Sequence, residues 1–214
     1  MFNHQIRAEV PVMNPVSKTG AKALQENSEK DRVLFFEEQD KYLALATPML
    51  RDVANIMLEM GMRPDEVCRI QTENVHLKQD YLFIPKGKTK AARRRIKLTA
   101  AAKSILKERI SACKGAFLFP HEDDVNRPVP KLNNAHDRTL IASGLPHFVL
   151  YDFRHTWATR AVEAGVDLLT LAAMLGHAKI QMVLRYAHPS QEHQMKAMDK
   201  VENYVREQRI AKNA

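Results

Sequence analysis

Glycine is scarce: seven in 214 residues, about half the usual share near 7%. A chain with so few flexible corners is biased toward helices rather than a turn-rich all-β fold. Two cysteines, Cys68 and Cys113, are too few for a disulfide framework or a four-thiolate zinc site, and a reducing cytoplasm is the expected setting. No apolar run approaches the roughly 18 residues that span a bilayer. The opening MFNHQIRAEVPV lacks the continuous apolar stretch of a secretory signal. What remains is 45% hydrophobic and 27% charged, an ordinary balance for a globular protein of one large domain, or one medium domain with an extension.

Acid is in deficit. Thirty-three Lys+Arg face twenty-five Asp+Glu, a net charge of +8, which favours polyanionic partners. The excess is concentrated. Between Lys78 and Lys97 stand Lys78, Lys86, Lys88, Lys90, Arg93, Arg94, Arg95 and Lys97, against the single acid Asp80.

Along the chain, residues 1–30 are polar and irregular and read as an arm or linker, with the folded domain over 31–214. Glu37–Ala46 is helix-like and stops at Thr47-Pro48. Met49–Met60 places Leu50, Val53, Ile56, Met57 and Met60 on one face, and Gly61 ends it. Arg63 precedes Pro64 and therefore sits at a bend between two helices, with Val67 and Ile70 directed inward beyond it. Val75–Leu77, Tyr81–Ile84 and Arg94–Leu98 read as short strands, with Pro85–Ala92 as a basic loop. Helices follow from Thr99 to Cys113, over Leu132–Ser143, Tyr151–Ala164, Leu168–Leu175 and Ile180–His188. A last helix, capped by Ser190, runs to Ile210. The expected fold is mainly α with a small antiparallel β-sheet, an α+β class.

Polar residues gather at the helix corners: Arg63, Arg154, His177 and Tyr186. Taken in order, the motifs are GMRPDE (61–66), GKTK (87–90), DFRHTWAT (152–159), LGH (175–177) and Tyr186 in RYAHPS. In that order and spacing the chain resembles the catalytic domain of the tyrosine recombinase (phage integrase) family over roughly residues 31–200. The resemblance implies that family's catalytic-core fold. It also implies a site-specific DNA recombinase or integrase that cleaves and rejoins strands through a 3′-phosphotyrosyl intermediate, in the integration or excision of a mobile element.

The chemistry so implied needs a nucleophile, charge stabilisation at phosphorus and a proton for the leaving 5′ oxygen. Tyr186 would supply the phenolate, whose free pKa is about 10 and must be favoured by cations. Arg63 and Arg154 would clamp the non-bridging oxygens, where a planar guanidinium outperforms an ammonium. Loss of one such donor typically costs about 3–4 kcal/mol. His177 would hydrogen-bond the scissile phosphate. Lys88 best matches the family's hairpin lysine, the general acid, with Lys86 and Lys90 as rivals. Lys86, Lys90, Arg93, Arg94 and Arg95 are expected to contact DNA.

Neither a cofactor nor a metal is expected. His177, His188 and His193 lack a ligand spacing on one helix face. The expected partners are double-stranded DNA and further copies of the chain, a tetramer on DNA coupled through the C-terminal helix.

Two departures stand out. Tyr151 occupies the position three before the second arginine where the family usually has histidine, and a phenol cannot carry a proton near neutrality as imidazole does. Family members also usually carry a helical core-binding domain before the catalytic one, and here only about 30 irregular residues precede it. A weakly active or inactive DNA-binding remnant, or a type IB topoisomerase-like enzyme, are the alternatives. Glu66 is expected to orient basic neighbours or cap its helix, and His155 to be a packed helix residue. Trp157, Met174 and Met182 are assigned to the core, and Cys68 to an inert apolar face.

Overall fold

The computed structural model describes residues 32–85, 92–186 and 191–212. The expected arm over 1–30, the loop lysines Lys86, Lys88 and Lys90, and the expected cap Ser190 lie outside the described residues. Helix α1 (Phe36–Leu45) buries Tyr42, and α2 (Pro48–Met60) buries Leu50, Val53, Ile56, Met57 and Met60. Pro48 stands in the first turn of α2, where its missing N–H is no loss and its fixed φ suits the helix. Each fully buried aliphatic or Met side chain of α2 contributes about 1.5–3 kcal/mol.

The short helix α3 (Pro64–Cys68) follows a bend in which Arg63 is extended, φ −75° and ψ 149°, as a residue before proline must be. After a 3₁₀ turn at Thr72–Asn74 comes an antiparallel sheet in the order β1 (Val75–His76), β2 (Tyr81–Ile84), β3 (Arg94–Lys97). Leu82 is opposite Val75 on one side and Ile96 on the other. Alternation sends Leu82, Ile84 and Ile96 into the core, while Arg95 and Lys97 face out.

Helix α4 (Ala100–Ala112) starts at Thr99, whose hydroxyl accepts from the Ala102 N–H at 3.2 Å. Then come α5 (Asn133–Ser143), α6 (Tyr151–Glu163), α7 (Leu168–Leu175), α8 (Gln181–Leu184) and α9 (Gln191–Lys212). A polar latch joins α1 to α5: the Tyr42 hydroxyl pairs with His136 Nδ1 at 2.6 Å, and His136 Nε2 lies 2.8 Å from the Phe148 carbonyl.

The buried apolar residues form two clusters. The larger unites α1–α5, the sheet and Phe153 at the start of α6. The smaller comprises Ala158, Leu171, Ala172, Leu175, Val183 and Tyr186. Helix α6 belongs to both, and the residue next to Phe153, Arg154, is at the seam.

Some expectations need correction. The helix over Ile180–His188 shrinks to Gln181–Leu184 with a turn at Arg185–Tyr186. Only Val183 of its four residues is buried, so no apolar face sustains a longer helix. Met174 and Met182 are not core residues but are 39% and 47% exposed, because α7 turns Leu171, Ala172 and Leu175 inward and α8 only Val183. On α9 the stripe of Met195, Met198, Val201 and Val205 is 41–69% exposed.

Candidate active site

Arg154 is fully buried. Placing a guanidinium there costs several kcal/mol unless its donors are matched, and most of them are. One terminal nitrogen, Nη1, donates to the Gly61 carbonyl at 2.8 Å. The other, Nη2, donates to the Leu175 carbonyl at 2.7 Å and to His177 Nε2 at 2.9 Å. Both carbonyls belong to helix ends, where the last C=O groups lack intrahelical partners. Gly61 and Gly176, in left-handed conformations at φ 61° and 66°, turn the chain at those ends and set Arg63 and His177 beside Arg154. Burial lowers the Arg154 pKa to about 10, with Arg63 and Arg94 adding repulsion, so it stays charged at neutral pH.

An arginine only donates, so the bond to Nε2 makes that nitrogen the acceptor and leaves the imidazole proton on Nδ1. Two buried nitrogens have no partner among the described residues: Arg154 Nε and this His177 Nδ1. Buried polar groups are rarely left unpaired. Two N–H donors on adjoining side chains, one of them cationic, suit an anion's oxygens. Burial pushes the His177 pKa down to about 4, helped by Arg154, Arg63, Arg94 and Arg185, so the ring is neutral at pH 7.

Arg63, with 28% of its side chain exposed, pairs with Glu66 at 2.8 Å, and its backbone N–H donates to the same carboxylate at 3.0 Å. Glu66 also receives a two-pronged contact from Arg94, at 3.0 and 2.9 Å. Burial alone would raise this carboxyl, but the bonds and charge of Arg94 and Arg63 outweigh it and hold the pKa at about 2. Arg94 was expected among the DNA-contacting residues beside Arg93 and Arg95; it is instead turned inward, its side chain 7% exposed. Its Nε donates to the Met174 carbonyl at 2.8 Å, so it ties β3 to α3 and to the end of α7. Arg93 and Arg95 are exposed and lie over the rings of Phe83 and Tyr81 at 5.4 and 5.0 Å.

Tyr186 is 7% exposed and its hydroxyl lies 2.7 Å from His155 Nδ1. Tyr151, at the first turn of α6, has its ring 5.0 Å from that of His155 and 5.8 Å from the Arg154 guanidinium carbon. Arg63, Arg154 and His177 thus converge, with Glu66 paired to Arg63 and the Tyr151 ring near both Arg154 and His155. Three partnerships escaped the sequence: Arg94 with Glu66, His155 with Tyr186, and Gly61 with Trp157. A Cβ on Gly61 would stand 2.2 Å from the Trp157 ring. Gly61 carried a signal as a helix terminator and Glu66 as an acid among basic neighbours, but neither signal discloses the particular partner, Trp157 or Arg94.

The sequence matches the phage integrase family over residues 22–193. The chain belongs to that family. Among curated relatives, the integrase of Salmonella phage P22 is 28% identical over 155 residues, covering 67% of this chain and 40% of the phage protein. Tyrosine recombinase XerC of Pelobacter propionicus is 26% identical over 215 residues, covering 93% of this chain and 68% of the relative. The fold is that of the Tn1549 transposon integrase, solved in complex with a circular intermediate DNA, at TM-score 0.74 and 19% identity; the match covers 94% of this chain and 75% of that one. This chain therefore spans about two fifths of the length of the phage P22 relative.

Proposed function

We propose that the chain is the catalytic part of a site-specific DNA recombinase that breaks and rejoins strands through a 3′-phosphotyrosyl link to Tyr186. The observation that carries this is the pair of buried, unmatched donors, Arg154 Nε and His177 Nδ1, set beside Arg63. A phosphodiester supplies two non-bridging oxygens, and as the phosphorus becomes five-coordinate their charge rises, which is where fixed donors act most strongly. Tyr186 attacks phosphorus, the 5′ oxygen leaves with a proton from the hairpin lysine Lys88, and a DNA hydroxyl later reverses the step. No high-energy cofactor is required, because the tyrosyl ester conserves the bond.

Duplex DNA is the substrate in this reading. Relatives that are integrases and recombinases support it, as do the exposed Arg93 and Arg95 beside the basic loop. The exposed stripe of α9, Met195, Met198, Val201 and Val205, is proposed to dock on a neighbouring copy in a DNA-bound tetramer.

The test is adduct formation on a pool of nicked duplexes with a randomised core, read on a denaturing gel. The chain is expected to give a covalent protein–DNA band that Tyr186→Phe abolishes. Retarded DNA without any Tyr186-dependent band would leave a DNA-binding protein and end the enzymatic reading.

A further inference from the structure

We propose that His155 is a catalytic residue: its Nδ1 takes the phenolic proton of Tyr186 during strand cleavage. This inference rests on Tyr186 being the nucleophile. A tyrosine attacking phosphorus must shed a proton of pKa about 10 at neutral pH, so a base within hydrogen-bond reach is the first geometric requirement. His155 Nδ1 lies 2.7 Å from the Tyr186 oxygen, with both side chains buried and the ring centroids 5.8 Å apart.

Among the described residues, His177 and Tyr151 are poorer acceptors. His177 Nε2 already accepts from Arg154 Nη2, and its Nδ1 therefore bears a proton. Tyr151, which packs against His155, is itself a phenol and would have to become phenolate to serve. Neutral imidazole is the side chain whose ordinary pKa, about 6.5, allows it to receive a proton and return it at physiological pH.

Placement strengthens the assignment. His155 follows Arg154 directly on α6, and α6 is held to α2 by the Trp157 Nε1 bond to the Glu59 carbonyl at 3.1 Å. The acceptor and the phosphate clamp therefore ride on one rigid element, so a phosphate seated on Arg154 has a fixed position relative to the base. Tyr186 comes from a separate element, the turn after α8.

The step balances. As the Tyr186 oxygen bonds to phosphorus its proton moves to His155 Nδ1. The bond from phosphorus to the 5′ oxygen breaks, and that oxygen takes a proton from the general acid. On rejoining, the 5′ hydroxyl gives its proton back to the deprotonated general acid as it attacks the phosphotyrosine, and the His155 imidazolium returns its proton to the departing Tyr186 oxygen.

Single-turnover cleavage of a nicked suicide duplex tests this. His155→Gln and His155→Ala are expected to cleave about 10²–10⁴-fold more slowly, with DNA affinity retained. Replacing Tyr186 by a fluorinated tyrosine of lower phenol pKa should recover ten-fold or more in the His155 variants, and much less in Arg154→Lys. Variants that cleave at or above the unmutated rate would make the contact a latch and overturn the proposal. So would a loss that the fluorinated tyrosine does not repair, which marks a structural role.

A second measurement needs no His155 variant. On a substrate with sulfur at the 5′ bridging position the leaving group departs unprotonated, and a solvent deuterium effect above about two on cleavage should persist, arising from the Tyr186 proton. Its absence would overturn the proposal. Absence of any Tyr186-dependent adduct from the unmutated chain is a different failure, that of the DNA-cleavage reading itself.

Discussion

The Arg154 guanidinium donates to His177 Nε2 at 2.9 Å, and by doing so fixes the proton of that imidazole on Nδ1. One contact thus sets both a ring orientation and a tautomer. A side-chain amide can imitate one ring nitrogen but not both, which separates the two roles. Asparagine places its amide near the Nδ1 position, and glutamine near Nε2. His177→Asn is therefore expected to keep more cleavage than His177→Gln, and His177→Ala to lose about 10²–10³-fold. Single-turnover rates of the three variants on one nicked substrate check the order. An inverted order would place the functional proton on Nε2.

Gly61 carries two demands at once. Its φ of 61° disfavours any side chain, and a Cβ there would lie 2.2–2.7 Å from three carbons of the Trp157 ring. Its carbonyl is also the acceptor for Arg154 Nη1. Gly61→Ala is expected to cost about 2–5 kcal/mol, from left-handed strain of about 1–2 kcal/mol and overpacking of about 1–3 kcal/mol. Denaturant unfolding measures this. Because the carbonyl shifts with the backbone, cleavage should fall further than the folded fraction does. Gly144, whose added Cβ would meet nothing within 4 Å, is the control: Gly144→Ala should show the conformational cost alone and leave cleavage intact.

Much of this was legible in the sequence because it is local. The period of Leu50, Val53, Ile56, Met57 and Met60 fixes the buried face of α2, and Gly61 and Gly176 mark the ends of α2 and α7. Arg63 and His177 lie in motifs just past those ends, and Arg154 in the DFRHTWAT motif at the start of α6. What stayed hidden depends on contacts between distant parts of the chain. Arg93, Arg94 and Arg95 are indistinguishable as letters, and strand alternation alone singles out the middle one as different. It takes the Glu66 carboxylate, 28 residues away, to turn Arg94 inward. His155 looked like a helix-packing residue because its partner Tyr186 is 31 residues on. Met174 and Met182 were misplaced for the converse reason: an apolar residue on a short helix has no obligation to face inward unless a neighbour covers it.

Acid should dismantle the site in two stages. The folded state holds His177 at about 4 against an ordinary 6.5, so the unfolded chain binds more protons between these values and stability falls as pH drops from 6.5 to 4. The Glu66 pKa is depressed to about 2 from an ordinary 4.5; its stabilisation is complete above 4.5 and lost as pH falls through 2. With a side chain only 9% exposed, Glu66 accounts for about 3 kcal/mol over that lower window. Urea midpoints from pH 7 to 2.5 are expected to decline across both windows. His177→Asn should flatten the upper one and Glu66→Gln the lower one. Glu66→Gln should also cost about 3–5 kcal/mol at pH 7, because it strips Arg63 and Arg94 of their shared anion. A stability profile unchanged by either variant would contradict the buried charge arrangement.

The three successive arginines should part company in their response to salt. Each phosphate neutralised by a basic side chain adds about 0.9 to the slope of log affinity against log salt. Arg93 and Arg95 are exposed, carried on β3 and its approach with their guanidinium groups over Phe83 and Tyr81. Arg93→Ala and Arg95→Ala are therefore expected to weaken binding to a duplex and each to lower that slope by about one. Arg94 donates to Glu66, Ala92 and Met174 and has its charge matched internally. Arg94→Ala should leave the slope nearly unchanged while reducing thermal stability and slowing cleavage, since Glu66 loses one of its two arginine partners and the Met174 carbonyl loses its donor. Titrations across a salt series, run beside thermal unfolding, distinguish the two behaviours. Equal slopes lost at all three positions would mean that Arg94 turns outward to meet the phosphate backbone when DNA arrives.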